Sequence, residues 1–230
     1  MKIKTTLAVA LSAAFLSACG GGSDGDASPA PVTPVAATTF PLNTAYTQVS
    51  TTGISLNGTA VDGADTWTMA LSVTPAADQT FEGATAKKSV QAITIKKNGA
   101  TVLSSGGESF FTINPFMVKG LRLNDGTYGV QTVASSVLSN AAKVGDSGSL
   151  GITTVYPNSS KSSVLFTQEG TWTLEADTAT TAFGCSNIIG KNTAGAVIAS
   201  TSGCYKIDTN GTVKGMRYTL AVAGKTLVFR

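Results

Sequence analysis

Residues 66–74 of this 230-residue chain read TWTMALSVT, in which large apolar side chains alternate with small or polar ones. Residues 171–177 (TWTLEAD) and 216–223 (MRYTLAVA) repeat the same alternation. A period of two is typical of a β-strand that buries one face and exposes the other, as strands of antiparallel sheets do. The three segments therefore predict strands, with Trp67 and Trp172 on the buried face.

Pairs of turn-forming residues separate the strand-like segments. Each pair places Asn or Asp before Gly, which suits two-residue hairpin turns because such turns need positive φ. The pairs are Asn57-Gly58, Asp62-Gly63, Asn98-Gly99, Asp125-Gly126 and Asn210-Gly211. No window after residue 18 has a convincing helical period, and the most helix-like one, residues 133–144, is short and serine-rich. Frequent turns between short strands predict an all-β fold, an antiparallel meander forming a sandwich or a barrel.

Two short matches relate the halves of the chain. Residues 65–69 (DTWTM) resemble residues 170–174 (GTWTL), and residues 118–122 (VKGLR) resemble residues 213–217 (VKGMR). Duplication of a β unit explains both matches, and so does the shared composition of strands. A duplication divides the β-rich region into halves at 39–140 and 141–230, which form either two small domains or one pseudo-symmetric sheet system.

The N-terminus has the features of an export signal. Lys2 and Lys4 precede an uncharged, mostly apolar run at residues 7–16, which is too short to span a bilayer as a helix. Residues 16–19 (LSAC) resemble the lipobox of bacterial type II signal peptides. The resemblance implies that residues 1–18 are a signal peptide, that Cys19 carries lipid, and that this lipid anchors the protein to a membrane.

A linker is expected between the lipid and the folded region. Residues 19–38 are rich in Gly and Pro and lack aromatic side chains, so they cannot bury enough surface to fold. Gly20 follows the cysteine where an Asp favours retention in the inner membrane, and this family analogy points to the outer membrane of the cell envelope. In general style the chain resembles the Gly-tethered β-domain lipoproteins of proteobacteria.

The charge of the exported chain is close to zero. Removing residues 1–18 removes two of the 16 basic residues and none of the 13 acidic ones, which leaves a net charge of +1. Nucleic-acid binding relies on clustered Lys and Arg side chains that neutralise phosphates. We therefore expect no nucleic-acid partner.

The cysteines predict one disulfide. With Cys19 modified by lipid, Cys185 and Cys204 remain, and an oxidising compartment favours their pairing. In the chain-entropy model a loop of this length contributes about 3 kcal/mol. A metal site is disfavoured because the chain has no histidine and two thiols do not complete a zinc shell. We expect no metal and no cofactor.

Catalysis is not expected. Residues 145–149 (GDSGS) resemble the nucleophile segment of chymotrypsin-like proteases and that of GDSL esterases, but both families need a histidine, which the chain lacks. The segment therefore reads as a turn. A hydrolase using paired carboxylates or a Ser–Lys pair is the least favoured alternative.

Three phenylalanines are candidate ligand contacts. Phe110 and Phe111 are adjacent, so on a strand they point to opposite faces and one of them is expected to be exposed. Phe116 follows nearby. The overall prediction is a non-catalytic envelope lipoprotein that presents an all-β domain for binding or adhesion to a protein or glycan. A structural or assembly role in an envelope complex is the alternative, and the oligomeric state stays open.

Overall fold

Twelve antiparallel strands and one short helix make up the part of the chain that the computed structural model describes, residues 38–222 and 225–230. The strands form one sheet in which each pairs with the next along the chain, a meander that curves into a nearly closed barrel. The predicted all-β antiparallel meander is confirmed. In chain order the elements are α1 (Leu42–Thr52), β1 (Ile54–Asp62), β2 (Asp65–Phe81), β3 (Ala84–Lys97), β4 (Ala100–Thr112), β5 (Met117–Leu123), β6 (Tyr128–Val133), β7 (Ser147–Tyr156), β8 (Phe166–Ala176), β9 (Thr181–Asn192), β10 (Val197–Asp208), β11 (Val213–Val222) and β12 (Lys225–Phe229).

The first and last strands meet at one residue pair. The N–H of Thr59 donates to the carbonyl of Arg230 at 2.9 Å, and the N–H of Arg230 donates back at 3.2 Å. Every other neighbouring pair of strands is joined by a longer ladder, for example nine residue pairs between β1 and β2. The barrel is therefore closed most weakly between β1 and β12.

The three alternating segments lie on strands as predicted. Residues 66–74 belong to β2, residues 171–176 to β8 and residues 216–222 to β11. Trp67 and Trp172 are buried, with 3% and 6% of their surfaces exposed. Period-two alternation thus located both the strands and the buried face.

Four of the five predicted turn pairs lie at turns between strands. Asn98-Gly99 joins β3 to β4 with φ values of 49° and 84°, the positive φ at both positions that this pair favours. The prediction for Asn57-Gly58 is wrong, since both residues lie inside β1. A Cβ at Gly58 would stand 3.0 Å from Cε of Met216 and 3.1 Å from Cβ of Phe229, so the glycine serves close packing where β1 meets the last two strands rather than a turn.

Helix α1 was not expected from the sequence. Its buried residues Leu42, Ala45 and Val49 follow one helical face. They contact side chains on the inner faces of several strands, so the helix lies inside the barrel. Residues 134–146, which include most of the helix-like window, form an irregular connection instead. Within the described residues, no helix is long and apolar enough to cross a membrane.

The predicted halves share one sheet. Residues 134–146 separate β1–β6 from β7–β12, and β6 pairs with β7, so the described residues do not divide into two sheets. The matching segments lie on β2 and β8 and on β5 and β11, the second and fifth strands of each set of six. This is the arrangement that a duplication predicts, and the duplication itself stays a prediction.

Two apolar clusters fill parts of the barrel interior. The first surrounds α1 near the β4–β5, β8–β9 and β10–β11 connections, and it contains Phe40, Leu42, Ala45, Phe111, Phe116, Leu138, Ala142, Trp172, Leu174, Ala182 and Ile207. The second lies near the β1–β2 and β3–β4 turns, and it contains Ala60, Trp67, Met69, Ile95, Met216, Leu220, Leu227 and Phe229. The space between them is the candidate functional site.

Candidate functional site

A cavity of about 400 Å³ occupies the barrel interior. Each of the ten strands β2–β11 contributes at least one residue to its wall, and α1 contributes Tyr46, Val49 and Ser50. Its volume is within the range of pockets that hold small molecules. A second cavity of about 210 Å³ shares lining residues with it, among them Leu71 and Tyr218, and its own wall also includes Glu108.

The wall of the main cavity is uncharged. None of the described residues that line it is an Asp, Glu, Lys or Arg. Most of the surface that lines the cavity is apolar, although residues with hydroxyl or amide groups are about as numerous as those with large apolar side chains. These polar residues are Tyr46, Ser50, Gln91, Ser109, Gln131, Ser135, Thr153, Gln168, Ser186, Thr201, Tyr205 and Tyr218.

Three tyrosines line one side of the cavity. Tyr46 on α1 hydrogen-bonds Ser186 on β9, with 2.8 Å between the two hydroxyl oxygens. The ring of Tyr205 packs edge-on against that of Tyr46, with centroids 5.7 Å apart. Tyr218 on β11 lies across Gly203 on β10, where a Cβ would stand 2.7 Å from Cε2 of the ring. Glycine at position 203 therefore lets the ring of Tyr218 lie flat against the backbone.

The tyrosine hydroxyls stay protonated at neutral pH. Burial raises the pKa of Tyr46, Tyr205 and Tyr218 above the ordinary value of tyrosine. Tyr46 and Tyr218 raise the pKa of Tyr205 further, since a charge on a neighbouring phenol disfavours a second one. The hydrogen bond with Ser186 lowers the pKa of Tyr46 and so acts against the effect of burial. All three therefore act as neutral hydrogen-bonding groups.

One lining glutamine is fixed by the backbone. The Nε2 of Gln131 donates to the carbonyls of Val133 and Leu150, both at 2.8 Å. The side-chain amides of Gln91 and Gln168 form no hydrogen bond with another group in the described part of the chain, so they are free to meet a ligand or solvent. The cavity wall thus has one side-chain amide that the backbone holds in place and two that are free to bind a ligand.

The prediction that Phe110 or Phe111 is exposed is wrong, because both are buried. Phe110 follows the cavity-lining Ser109 on β4 and points to the opposite, outer face. The β2–β3 hairpin covers it there, with the rings of Phe81 and Phe110 stacked at 4.3 Å. The ring is therefore buried by a hairpin that is distant in sequence, and the local sequence gives no sign of that hairpin.

Phe111 and Phe116 belong to the interior. Phe111 is buried beside Phe116, with ring centroids 5.4 Å apart. Phe116 also lines the cavity and packs against Tyr46. Of the three candidate phenylalanines, Phe116 is therefore the one that borders the candidate site, and it does so from inside the barrel.

The predicted disulfide between Cys185 and Cys204 is present. The two residues are directly paired across β9 and β10, and neither is appreciably exposed. Their strand neighbours Ser186 and Tyr205 line the cavity, so the bond ties together two strands of its wall. Cys19, the predicted lipid attachment site, lies outside the described residues.

The chain's four glutamates are paired with basic side chains and do not line the main cavity. The pairs are Glu82 with Lys161, Glu108 with Lys88 and Arg122, Glu169 with Lys191, and Glu175 with Arg217. In the described part of the chain, no group of three or more His, Cys, Asp or Glu side chains could hold a metal. The cavity therefore has hydroxyl and amide groups to offer a ligand, without a carboxylate.

One residue of this site could be recognised from the sequence. Tyr218 occupies the buried side of the alternating segment at residues 216–223, and a hydroxyl at a core-facing position is a signal of polar function. Gln91, Gln168 and Tyr205 had no such signal, because the wall gathers between one and four residues from each of ten strands.

Comparison with known proteins adds no relative to this description. No protein-family model matches the chain, no curated protein matches it, and no solved structure matches it. The barrel, its inner helix and its cavity are the features from which a function can be inferred.

Proposed function

We propose that this protein is an envelope lipoprotein whose barrel binds a small molecule in its interior and does not transform it. The observation that carries the proposal is the cavity of about 400 Å³ with its uncharged wall. Such a space is typical of ligand binding. We prefer a binding role over a structural or assembly role. A barrel that served only assembly could have a tightly packed interior, whereas this barrel encloses a lined cavity.

The absence of histidine supports a role without catalysis. Acid–base chemistry near neutral pH depends most often on histidine, and the chain has none. The glutamates are held in ion pairs away from the main cavity. The groups that remain on the wall can hold a ligand by hydrogen bonds and apolar contact.

The N-terminal sequence supports attachment to a membrane. Lipidation of Cys19 would place the barrel at the end of the Gly/Pro-rich linker, at the outer membrane. Two or more acyl chains anchor a protein stably, whereas one binds marginally. Mass spectrometry of the mature protein tests this part: an acyl mass on Cys19 is expected, and a Cys19→Ser variant that keeps that mass and its membrane partitioning would disprove it.

Filling the cavity tests the binding role. Thr201 lines the cavity, whereas its strand neighbour Ser200 pairs with the exposed Ile189 on the outer face. Thermal unfolding is followed against a library of neutral, anionic and cationic small molecules. Binders should raise the unfolding midpoint of the wild type and of Ser200→Phe but not of Thr201→Phe.

A second variant that fills the cavity, Gln168→Phe, provides the same test if Thr201→Phe does not fold. If no compound stabilises the wild type, the proposed binding role is wrong. It is equally wrong if the filled variants and the Ser200→Phe control respond alike.

A further inference from the structure

The charge of the wall limits the charge of the ligand. A buried ion needs an opposite charge or several strong hydrogen bonds to offset the loss of hydration. No charged side chain from the described residues lines the main cavity, and the ion pair of Glu175 with Arg217 stands on the outer face of the barrel. A neutral molecule is therefore favoured over an anion or a cation of the same shape.

The apolar part of the wall favours an apolar body. Leu71 and Val73 come from β2, Leu121 from β5, Ile188 from β9 and Met216 from β11, so apolar side chains face the cavity from several directions. Burial of apolar surface favours binding in proportion to the area that is removed from water. Most of the ligand's contact surface should accordingly be hydrocarbon.

Two tyrosine hydroxyls differ from the third. The hydroxyl of Tyr46 is hydrogen-bonded to that of Ser186, but within the described residues the hydroxyls of Tyr205 and Tyr218 form no hydrogen bond with another protein group. Neither hydroxyl is among the fully buried, unpartnered side-chain atoms of the described residues, so both are open to the cavity. A ligand oxygen that hydrogen-bonds one of them therefore gains affinity. A phenol can donate to a carbonyl or a hydroxyl oxygen and can accept from a hydroxyl.

We propose that the cavity takes an uncharged, mainly apolar molecule that carries a hydroxyl or carbonyl oxygen, and that Tyr205 and Tyr218 bind this oxygen. The inference rests on the proposed binding function and deepens it by naming the ligand class. It also assigns the two tyrosines as the residues that select an oxygen-bearing ligand over a pure hydrocarbon.

Three probes with one ring system test the ligand class. Naphthalene has no oxygen, 1-naphthol has a neutral hydroxyl, and 1-naphthoate has a charged carboxylate at neutral pH. Each is titrated against the neutral fluorescent reporter 1-aminoanthracene bound to the full chain, with Thr201→Phe as the filled-cavity control. The expected order of affinity is 1-naphthol, then naphthalene, then 1-naphthoate, with naphthol at least tenfold tighter than naphthoate.

The outcomes separate the two proposals. If 1-naphthoate displaces the reporter as well as or better than 1-naphthol, and Thr201→Phe abolishes binding, the ligand class is wrong while the binding function stands. If the reporter and all three probes fail to bind, or if they bind Thr201→Phe unchanged, both proposals are overturned.

Removing single hydroxyls tests the two tyrosines. Tyr205→Phe and Tyr218→Phe should each weaken binding of 1-naphthol roughly three- to tenfold, the effect of one neutral hydrogen bond, and leave naphthalene unchanged. Tyr156→Phe is the matched control, because Tyr156 packs against the outer cluster of Phe81 and Phe110. Equal naphthol affinity in all four proteins would overturn the assignment, and so would an equal loss for naphthalene.

Discussion

Arg217 on β11 donates a hydrogen bond to the carboxylate of Glu175 on β8 and so reaches across two intervening strands. On the way, its Nη2 lies 3.4 Å from the sulfur atoms of both Cys185 and Cys204. The guanidinium also stacks over the ring of Phe183, 4.6 Å from its centroid. The disulfide faces the outside of the barrel, yet a fixed arginine side chain covers it.

We predict that Arg217→Ala speeds reduction of the Cys185–Cys204 disulfide by reduced glutathione, on the order of tenfold, because thiol–disulfide exchange depends on access to sulfur. The measurement is the rate at which free thiols appear in the folded protein, read by alkylation and mass spectrometry. Lys191→Ala is the control, since it removes an ion pair with Glu169 and does not touch the sulfurs. Equal rates in the two variants would contradict the covering role.

The contact between Phe81 and Phe110 should stabilise the barrel from outside. Phe81→Ala removes a buried ring at the tip of the β2–β3 hairpin, and we expect it to lower the free energy of unfolding by about 3–5 kcal/mol. Val90→Ala, on the same hairpin but exposed, should change it by less than about 0.5 kcal/mol. Urea denaturation provides both values.

A double-mutant cycle isolates that contact. Because the two rings are stacked, Phe81→Ala and Phe110→Ala together should cost less than the sum of the single variants, with a coupling energy of about 0.5–3 kcal/mol. If the two losses of unfolding free energy simply add, the contact between the Phe81 and Phe110 rings does not stabilise the fold.

Alkaline pH should destabilise the fold through its tyrosines. Burial, and then the hydrogen bond and the charge of Glu82, raise the pKa of Tyr128 from 10.0 to about 12. Burial also raises the pKa of Tyr46, Tyr205 and Tyr218. A raised pKa means that the folded state holds its proton more tightly, so this stability is complete below about pH 10 and is lost as the pH rises through the folded pKa values.

Ultraviolet absorbance of tyrosinate gives the measurement. The native protein should ionise these tyrosines at higher pH than the protein in denaturant, and the urea midpoint should fall between about pH 10 and 12. Tyr128→Phe should reduce the slope of that fall. Coincident titration curves for the native and denatured protein would refute the prediction.

Local sequence patterns predicted the all-β meander, three of its twelve described strands and four of its turns. Alternation around Trp67 and Trp172 depends on residues adjacent in the chain, and so does the turn at Asn98-Gly99. The disulfide followed from counting cysteines. Each of these signals is complete within a short segment or needs no geometry, so it can be recognised without the fold.

Features that depend on distant residues were missed. Helix α1 is short and rich in threonine, and its stability comes from burying Leu42 and Val49 inside the barrel. One of Phe110 and Phe111 was expected to be accessible, because nothing near them in sequence indicates the hairpin that covers Phe110. The cavity could not be predicted either, since its wall exists only after ten strands have closed around it.

The way the chain enters the barrel determines how it would bear a mechanical load. Phe40 is buried and exchanges two backbone hydrogen bonds with Ala142, and α1 begins two residues later. A force applied through the preceding segment would meet this clamp first and would then draw α1 out of the interior, before any strand ladder was sheared. The strands of the barrel wall could thus stay paired while α1 moved, so the first effect of tension would be to change the shape of the cavity.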